Sequence, residues 1–279
     1  MGVTVIPAYR VVKKFVREVE GAPQEVAWDG LEHKLRPYFH HSLSQAHASF
    51  LELGQRTALI QLGDPDLQEL SRALEAMDAA GVKALAEEAI QRCAAAMPHP
   101  DLNSRVLLLP GDGQGRVLTT QMHGVIGISM GSQVLMLFLW PVEGWQQWLG
   151  YTVCHEYAHL VRNLLFPRGL SGGHLVYLKT QQPETLLDAM IAEGVADTFA
   201  MELNPSIRPA WVDALSPRVQ EQLWPRVHRR LAVSDPSIDT SGVTADVFVH
   251  PPTSGELNNL AADHERLAEL ATATGETNR

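Results

Sequence analysis

Residues 143–165 read EGWQQWLGYTVCHEYAHLVRNLL, and this stretch decides the fold. Trp145, Trp148, Leu149, Thr152, Val153, Leu160, Val161, Leu164 and Leu165 recur at helical spacing and give one helix a wide apolar surface. It reads as a core helix from about Glu143 to Leu165. Inside it, His155-Glu156-Tyr157-Ala158-His159 follows the pattern H-E-x-x-H. Two histidines four apart stand one turn apart on the same helix face. Two imidazoles so placed can hold one tetrahedral zinc ion, and Glu156 beside the first can take a proton from water activated at the metal. Charged residues on a core helix must be paired or metal-bound to be tolerated. Cys154, next to His155, has no evident base of its own and reads as a small buried core residue.

A second helix supplies what the motif lacks. It is expected from about Pro183-Glu184 to Leu203, with Leu186, Leu187, Met190, Ile191, Val195, Phe199 and Met201 as its apolar face. Glu193-Gly194-Val195-Ala196-Asp197 sets a carboxylate within it. Zinc hydrolases commonly use three protein ligands and leave a fourth position for water. His155, His159 and Glu193 would be those ligands. Asp197, one turn beyond Glu193, is placed to accept the second N–H of a ligating histidine, His155. Gly194 would let the two helices approach closely near the metal.

Outward from these helices, the first hundred residues read as helical. Val12, Phe15, Val16 and Val19 repeat at helix spacing, as do Val82, Leu85, Ala89, Ile90, Cys93 and Met97. A helical stretch is expected over about 24–53, interrupted at Pro37, and a helix start at Asp64-Pro65-Asp66. After Pro100 the pattern changes to strands at Arg105–Leu109, Gly124–Ser129 and Gln133–Trp140, the last two joined by a turn at Met130-Gly131-Ser132. Gly111-x-Gly113-x-Gly115 opens no helix and reads as a hairpin turn, not a phosphate loop. Pro- and Gly-rich residues 166–174 read as a loop, Pro209–Leu231 and Ser254–Thr274 as helical, and Ser234–Pro252 as a polar loop. The fold class expected is α+β, mostly helical. A small antiparallel-containing sheet packs on the H-E-x-x-H helix, beside a second, Glu-bearing helix. The chain divides into an N-terminal helical region, 1–100, and a metal-bearing domain, 101–279.

Composition bounds the function. The 279 residues are 45% hydrophobic, enough for a sizeable core, and carry a formal charge of −10, which argues against a nucleic-acid or anionic-membrane binder. Two cysteines in a chain this size are not a disulfide framework. The N-terminus lacks the layout of a signal peptide, and the longest apolar run, Val134–Val142, is too short to span a bilayer. The expectation is a soluble, cytoplasmic protein.

E-x-x-x-D on a helix downstream of H-E-x-x-H is the arrangement of thermolysin-type zinc peptidases, the gluzincins. More narrowly, W-x(6)-H-E-x-x-H over Trp148–His159 and T-L-L-x-x-x-I-x-E-G-x-A-D over Thr185–Asp197 resemble the bacterial YjaZ-like family of predicted zinc-dependent proteases. The resemblance covers about residues 100–230. It implies a zincin-like core with Zn2+ held by His155, His159 and Glu193, Glu156 as base, and a peptide or protein as substrate. A Gly-Tyr-containing segment of that family has no clear counterpart after Glu193, so no transition-state residue is carried over. His250, in the loop-rich tail, and His174 and Tyr177, between the motif helices, are the candidates for that role. His123 reads as structural, and His40, His41 and His47 lack the carboxylate partners of a second metal site. The reading from another class is a zincin-like fold kept as a binding or regulatory protein. The intact Glu156 argues against it, because a purely structural zinc needs no base. A metal-free helical scaffold is a weaker third. Strand Gln133–Trp140, running into the motif helix, is the candidate edge for pairing with an extended peptide.

Overall fold

The structure, a computed structural model, describes residues 2–18, 67–165 and 186–228. Its elements are β1 (Gly2–Ile6), α1 (Tyr9–Glu18), α2 (Leu67–Ala79), α3 (Val82–Ala96), β2 (Asn103–Pro110), β3 (Val125–Met130), β4 (Val134–Leu139), α4 (Trp145–Leu165), α5 (Leu186–Leu203) and α6 (Pro217–His228). A π-helical turn, Val117–Gln121, precedes β3, and a 3-10 turn, Ala210–Asp213, precedes α6. The fold is α+β and mostly helical. The helical stretch expected over 24–53, the helix start at Asp64, the loop at 166–174 and the segments 234–252 and 254–274 lie outside the described residues. No helix among the described residues is long and apolar enough to cross a membrane.

The four strands form one mixed sheet in the order β1-β2-β4-β3. β1 pairs with β2 and β2 with β4 in parallel, and β3 pairs antiparallel with β4 through the turn at Gly131, whose φ is 58°. Three expectations change here. Gly2–Ile6 is a strand in a region read as helical. The glycines after β2 do not make a hairpin, because β2 lies beside β4 and not β3; Gly113 instead lets the chain pass against the Trp140 ring, where a Cβ would stand 2.1 Å from the indole. And β4 is an interior strand, paired on both sides, so it offers no free edge to a peptide; among the described residues the edge strands are β1 and, beside the motif helix, β3. The composition agrees: all six residues of β4, Val-Leu-Met-Leu-Phe-Leu, are buried, as expected of a strand covered on both faces.

The helices cover this sheet around a core that includes Val106, Leu108, Leu135, Leu137, Leu149, Val153 and Leu160. Core helix α4 begins at Trp145, just after Gly144 at φ 75°, and its burial is nearly all-round. Against it α3 brings Cys93, whose thiol donates to Cys154 Sγ at 2.8 Å with both side chains fully buried. Cys154 is thus a core residue. Tyr157 donates its hydroxyl to the Met97 carbonyl at 3.0 Å, a second tie between these helices.

Helix α5 meets α4 through alanines. Ala192, Ala196 and Ala200 are buried at 6%, 0% and 0%, while Leu187, Ile191 and Val195 are 44%, 51% and 53% exposed. Of the expected apolar face, these three point outward, while Phe199 and Met201 pack against the core, Phe199 stacked on Tyr157. Gly194 is exposed with open space around it, so the close approach comes from the alanines instead. Of the helical segment expected at 209–231, the described part, 209–228, is two pieces, broken where Ser216 accepts the Val219 N–H at a helix start with Pro217 at its first position.

An ionic cluster fastens α1 to α2. Asp78 accepts from Lys13 at 2.8 Å, the Tyr9 hydroxyl at 2.8 Å and Arg10 at 3.0 Å, and Lys13 also reaches Glu75 at 2.7 Å. Lys13 and Tyr9 hold the Asp78 carboxyl down to about 2 from its ordinary 3.8. A carboxylate depressed on folding contributes stability above its unfolded pKa and loses it as the pH falls through the folded one. Asp78→Asn is therefore expected to cost about 1 kcal/mol at pH 7. The difference from the parent, followed by urea unfolding, should shrink below pH 4 and vanish only below pH 2. A difference that does not change with pH would contradict this assignment.

Candidate metal centre

The site lies where α4 is wedged between α5 and the sheet. His155 and His159 face α5. Glu156 sits roughly 100° further round the helix and faces β3. Helix and strand run alongside each other in register. His123, before β3, stacks on Trp148; Gly127 lies over Glu156; and the Gly131 carbonyl accepts from Asn163 Nδ2 at 3.2 Å. Each step along the strand is matched by a step along the helix, so the edge strand follows the whole motif helix.

His155, His159 and Glu193 converge on one point. His155 Nε2 is 3.0 Å from His159 Nε2 and 3.3 Å from Glu193 Oε2, and His159 Nε2 is 3.4 Å from Glu193 Oε1. Their side chains keep 15%, 13% and 25% of their exposure, so the point is shielded but open on one side. Ligands on a tetrahedral zinc with bonds near 2.0–2.1 Å stand about 3.3 Å apart. The three donors already have that spacing. Two imidazole nitrogens aimed at each other across 3.0 Å, with a carboxylate beside both, are a donor set that fits a cation. Among the described residues this is the group of His, Cys, Asp and Glu side chains that could hold a metal ion.

Asp197 fixes the first imidazole. His155 Nδ1–H donates to Asp197 Oδ1 at 2.9 Å, which leaves the Nε2 lone pair for the convergence point. Asp197 is itself held by two residues that sequence reading does not find. The Tyr151 hydroxyl donates to Oδ1 at 2.6 Å, and the Trp211 indole donates to Oδ2 at 3.0 Å. Tyr151 stands one turn before His155, so its placement could have been read from the helix period. Trp211 comes from the 3-10 turn beyond α5, and no local pattern points to it.

Glu156 is 4% exposed beneath β3, where Ser129, also 4% exposed, hydrogen-bonds its carboxylate. The strand can lie this close because position 127 is glycine: a Cβ there would stand 2.3 Å from Glu156 Cγ. Burial raises the Glu156 pKa, and the two histidines only partly offset it. Burial alone would push the His155 imidazole down, but Asp197 and then Glu193 outweigh it and raise its pKa well above the usual value. Against the same burial, His159 and His155 lower Glu193, and His155, Tyr151 and Trp211 lower Asp197. The site is a cluster of mutually compensating charges in low dielectric. Such a cluster can bind a metal, take up a proton and hold it. His123, at φ 51°, is stacked on Trp148 and is not one of the donors. His174, Tyr177, His250 and the His40, His41 and His47 group lie outside the described residues.

Residues 82–239 match the model of a family described as predicted Zn-dependent protease (DUF2268). The matched span is more than half of the chain and carries α3 through α6, with every donor of the site. No curated protein and no solved structure matches the chain.

The contact of β3 with Glu156 makes a direct prediction. Gly127→Ala must push the Glu156 side chain or the edge strand aside, an overpacking expected to cost about 1–3 kcal/mol. Urea unfolding measures it, and a variant as stable as the parent would contradict the packing.

Proposed function

The chain belongs to this family of predicted Zn-dependent proteases, in agreement with the YjaZ-like resemblance of its motifs, and from that premise we propose that it is a zinc-dependent peptidase with a zincin-like core. The observation that carries the reading is the convergence of His155, His159 and Glu193 at 3.0–3.4 Å. These three would hold Zn2+. Bound there, zinc supplies Lewis acidity: it acidifies water and polarises the scissile carbonyl. Glu156, one residue from His155, would take a proton from the attacking water and give one to the leaving amine. Its seat under Gly127 and Ser129 keeps the carboxylate in one orientation and away from bulk water. Asp197, held by Tyr151 and Trp211, would keep the His155 Nε2 lone pair turned to the point where His159 and Glu193 converge.

The substrate proposed is a peptide or protein. The outer edge of β3, unpaired among the described residues, runs alongside the motif helix, and an extended peptide added to that edge would cross the metal centre. This replaces β4 as the pairing strand.

Purified protein is expected to carry about one zinc per chain, removable by a chelator. The His155→Ala/His159→Ala double variant should lose it. Glu193→Gln should weaken binding, since an amide is a poorer ligand than a carboxylate. Glu156→Gln should keep zinc and fold while losing peptide hydrolysis by several orders of magnitude. Wild-type protein that binds zinc but hydrolyses no peptide would turn the reading toward a binding or regulatory protein. Stoichiometric zinc in the double variant would remove the site.

The Asp197 network is tested separately. Asp197→Ala should lower zinc affinity or activity roughly 10–100-fold without abolishing either. Tyr151→Phe should move both in the same direction by less, because His155 and Trp211 still hold the carboxylate. Competition with a chromogenic chelator reads the affinity, and unchanged values in Asp197→Ala would show that the carboxylate does not act on the metal.

A further inference from the structure

Four aromatic rings from three separate elements meet beside the metal centre. His123, on the loop entering β3, stacks on Trp148 of α4 with centroids 4.0 Å apart and planes 9° apart. Trp148 meets Tyr151 at 5.7 Å and Trp211 at 6.3 Å, and Tyr151 in turn lies 6.4 Å from Trp211 and 6.4 Å from the ligand ring of His155. A structural cluster of this size would be closed over. Here only Tyr151 is buried, at 2%; Trp211 keeps 37% of its exposure, and His123 and Trp148 are half-buried.

We propose that His123, Trp148 and Trp211, over a floor made by Tyr151, form a subsite that takes a bulky apolar side chain of the substrate within about three residues of the bond that is cut. The position of the cut bond rests on the peptidase reading above; the chemistry of the subsite rests on the rings alone. Trp148 is two helical turns before His155, roughly 10 Å along the axis. An extended peptide covers about that distance in three residues. The outer edge of β3 leads such a peptide past the rings, because His123 precedes that strand and stacks on Trp148.

The rings also discriminate among side chains. A lysine or arginine is attracted to the ring faces, but weakly where they are half-exposed to water, and Asp197, already accepting from Tyr151, His155 and Trp211, is not free to pair with it. An acidic side chain would exchange water for ring faces that carry negative charge density. An aromatic or large aliphatic side chain gains burial and ring contact with no unpaired charge.

Peptide binding to zinc-loaded Glu156→Gln protein tests this, with tryptophan fluorescence as the readout. The probes are heptapeptide amides identical except for one Phe, Leu, Lys, Glu or Gly, placed at each position in turn. At one position Phe and Leu should bind at least about tenfold tighter than Gly, Lys and Glu, the discrimination an apolar pocket achieves. Trp148→Ala and His123→Ala should each reduce that ratio to within about threefold, with zinc content unchanged, and Trp148→Phe should retain most of it. Should Trp148→Ala fail to fold, His123→Ala, at a half-buried loop position, carries the test. No preference at any position, a preference for Lys or Glu, or a preference that survives both alanine variants would overturn the subsite. Because the readout is binding, a selective subsite in a protein that cleaves none of these peptides would remove the peptidase reading and leave the subsite standing.

Discussion

Four ionisable side chains in and beside one turn of a core helix have to be made compatible with burial. Glu156 is almost wholly buried, and His155, His159 and Glu193 are mostly so. Isolated charges in such a place would be prohibitively costly. Here each one is answered: Glu193 faces both histidines, Asp197 takes the far N–H of His155, and Ser129 meets Glu156. The rest of the described structure supports that arrangement. α5 approaches through alanines so that Glu193 and Asp197 reach α4. The 3-10 turn after α5 returns a tryptophan to Asp197. The edge strand carries a glycine where the buried carboxylate needs room.

The second determinant is the alignment of α4 with β3. Because strand and helix run the same way in register, one edge of the sheet overlooks the motif helix from Trp148 to Asn163. The mixed topology makes this possible. Two parallel pairings place β4 in the interior, and the tight turn at Gly131 folds β3 back to become the edge. A peptide strand added there would run past the aromatic wall and then across the metal donors. Binding of the main chain, positioning at the metal and recognition of a side chain would then all be set by that one alignment.

Much of this was legible in the sequence, and the gaps have physical reasons. Helix periodicity found α4 to within two residues of its observed start, because its apolar repeat is long and Gly144 ends the turn before it. The strands at 105–109, 124–129 and 133–140 emerged as short apolar runs between glycines and prolines. Periodicity shows which residues share a face, however, and not what that face meets. Leu187, Ile191 and Val195 do share a face, but α5 turns its smaller alanines inward, because only they allow Glu193 to reach the histidines. Val3-Thr4-Val5-Ile6 is a run of β-branched residues that does signal a strand and was overlooked; its pairing was hidden, because nothing local shows that its neighbour is a hundred residues away, or that β2 joins β4 in parallel. At the site, residue types and spacing marked His155, Glu156, His159, Glu193 and Asp197 as a group. Tyr151 and Trp211 were missed because a hydrogen bond to Asp197 leaves no spacing rule for Trp211 and only a weak one for Tyr151.

The central claim is that the metal is held by two imidazoles and a carboxylate at the point where His155, His159 and Glu193 converge. X-ray absorption at the zinc edge of the metal-loaded protein tests it most directly. The account predicts four light donors at roughly 2.0–2.1 Å with the multiple-scattering signature of imidazole and no sulfur shell. A sulfur shell near 2.3 Å, which would bring Cys154 or Cys93 to the metal, or a shell of oxygens without imidazole, would contradict it.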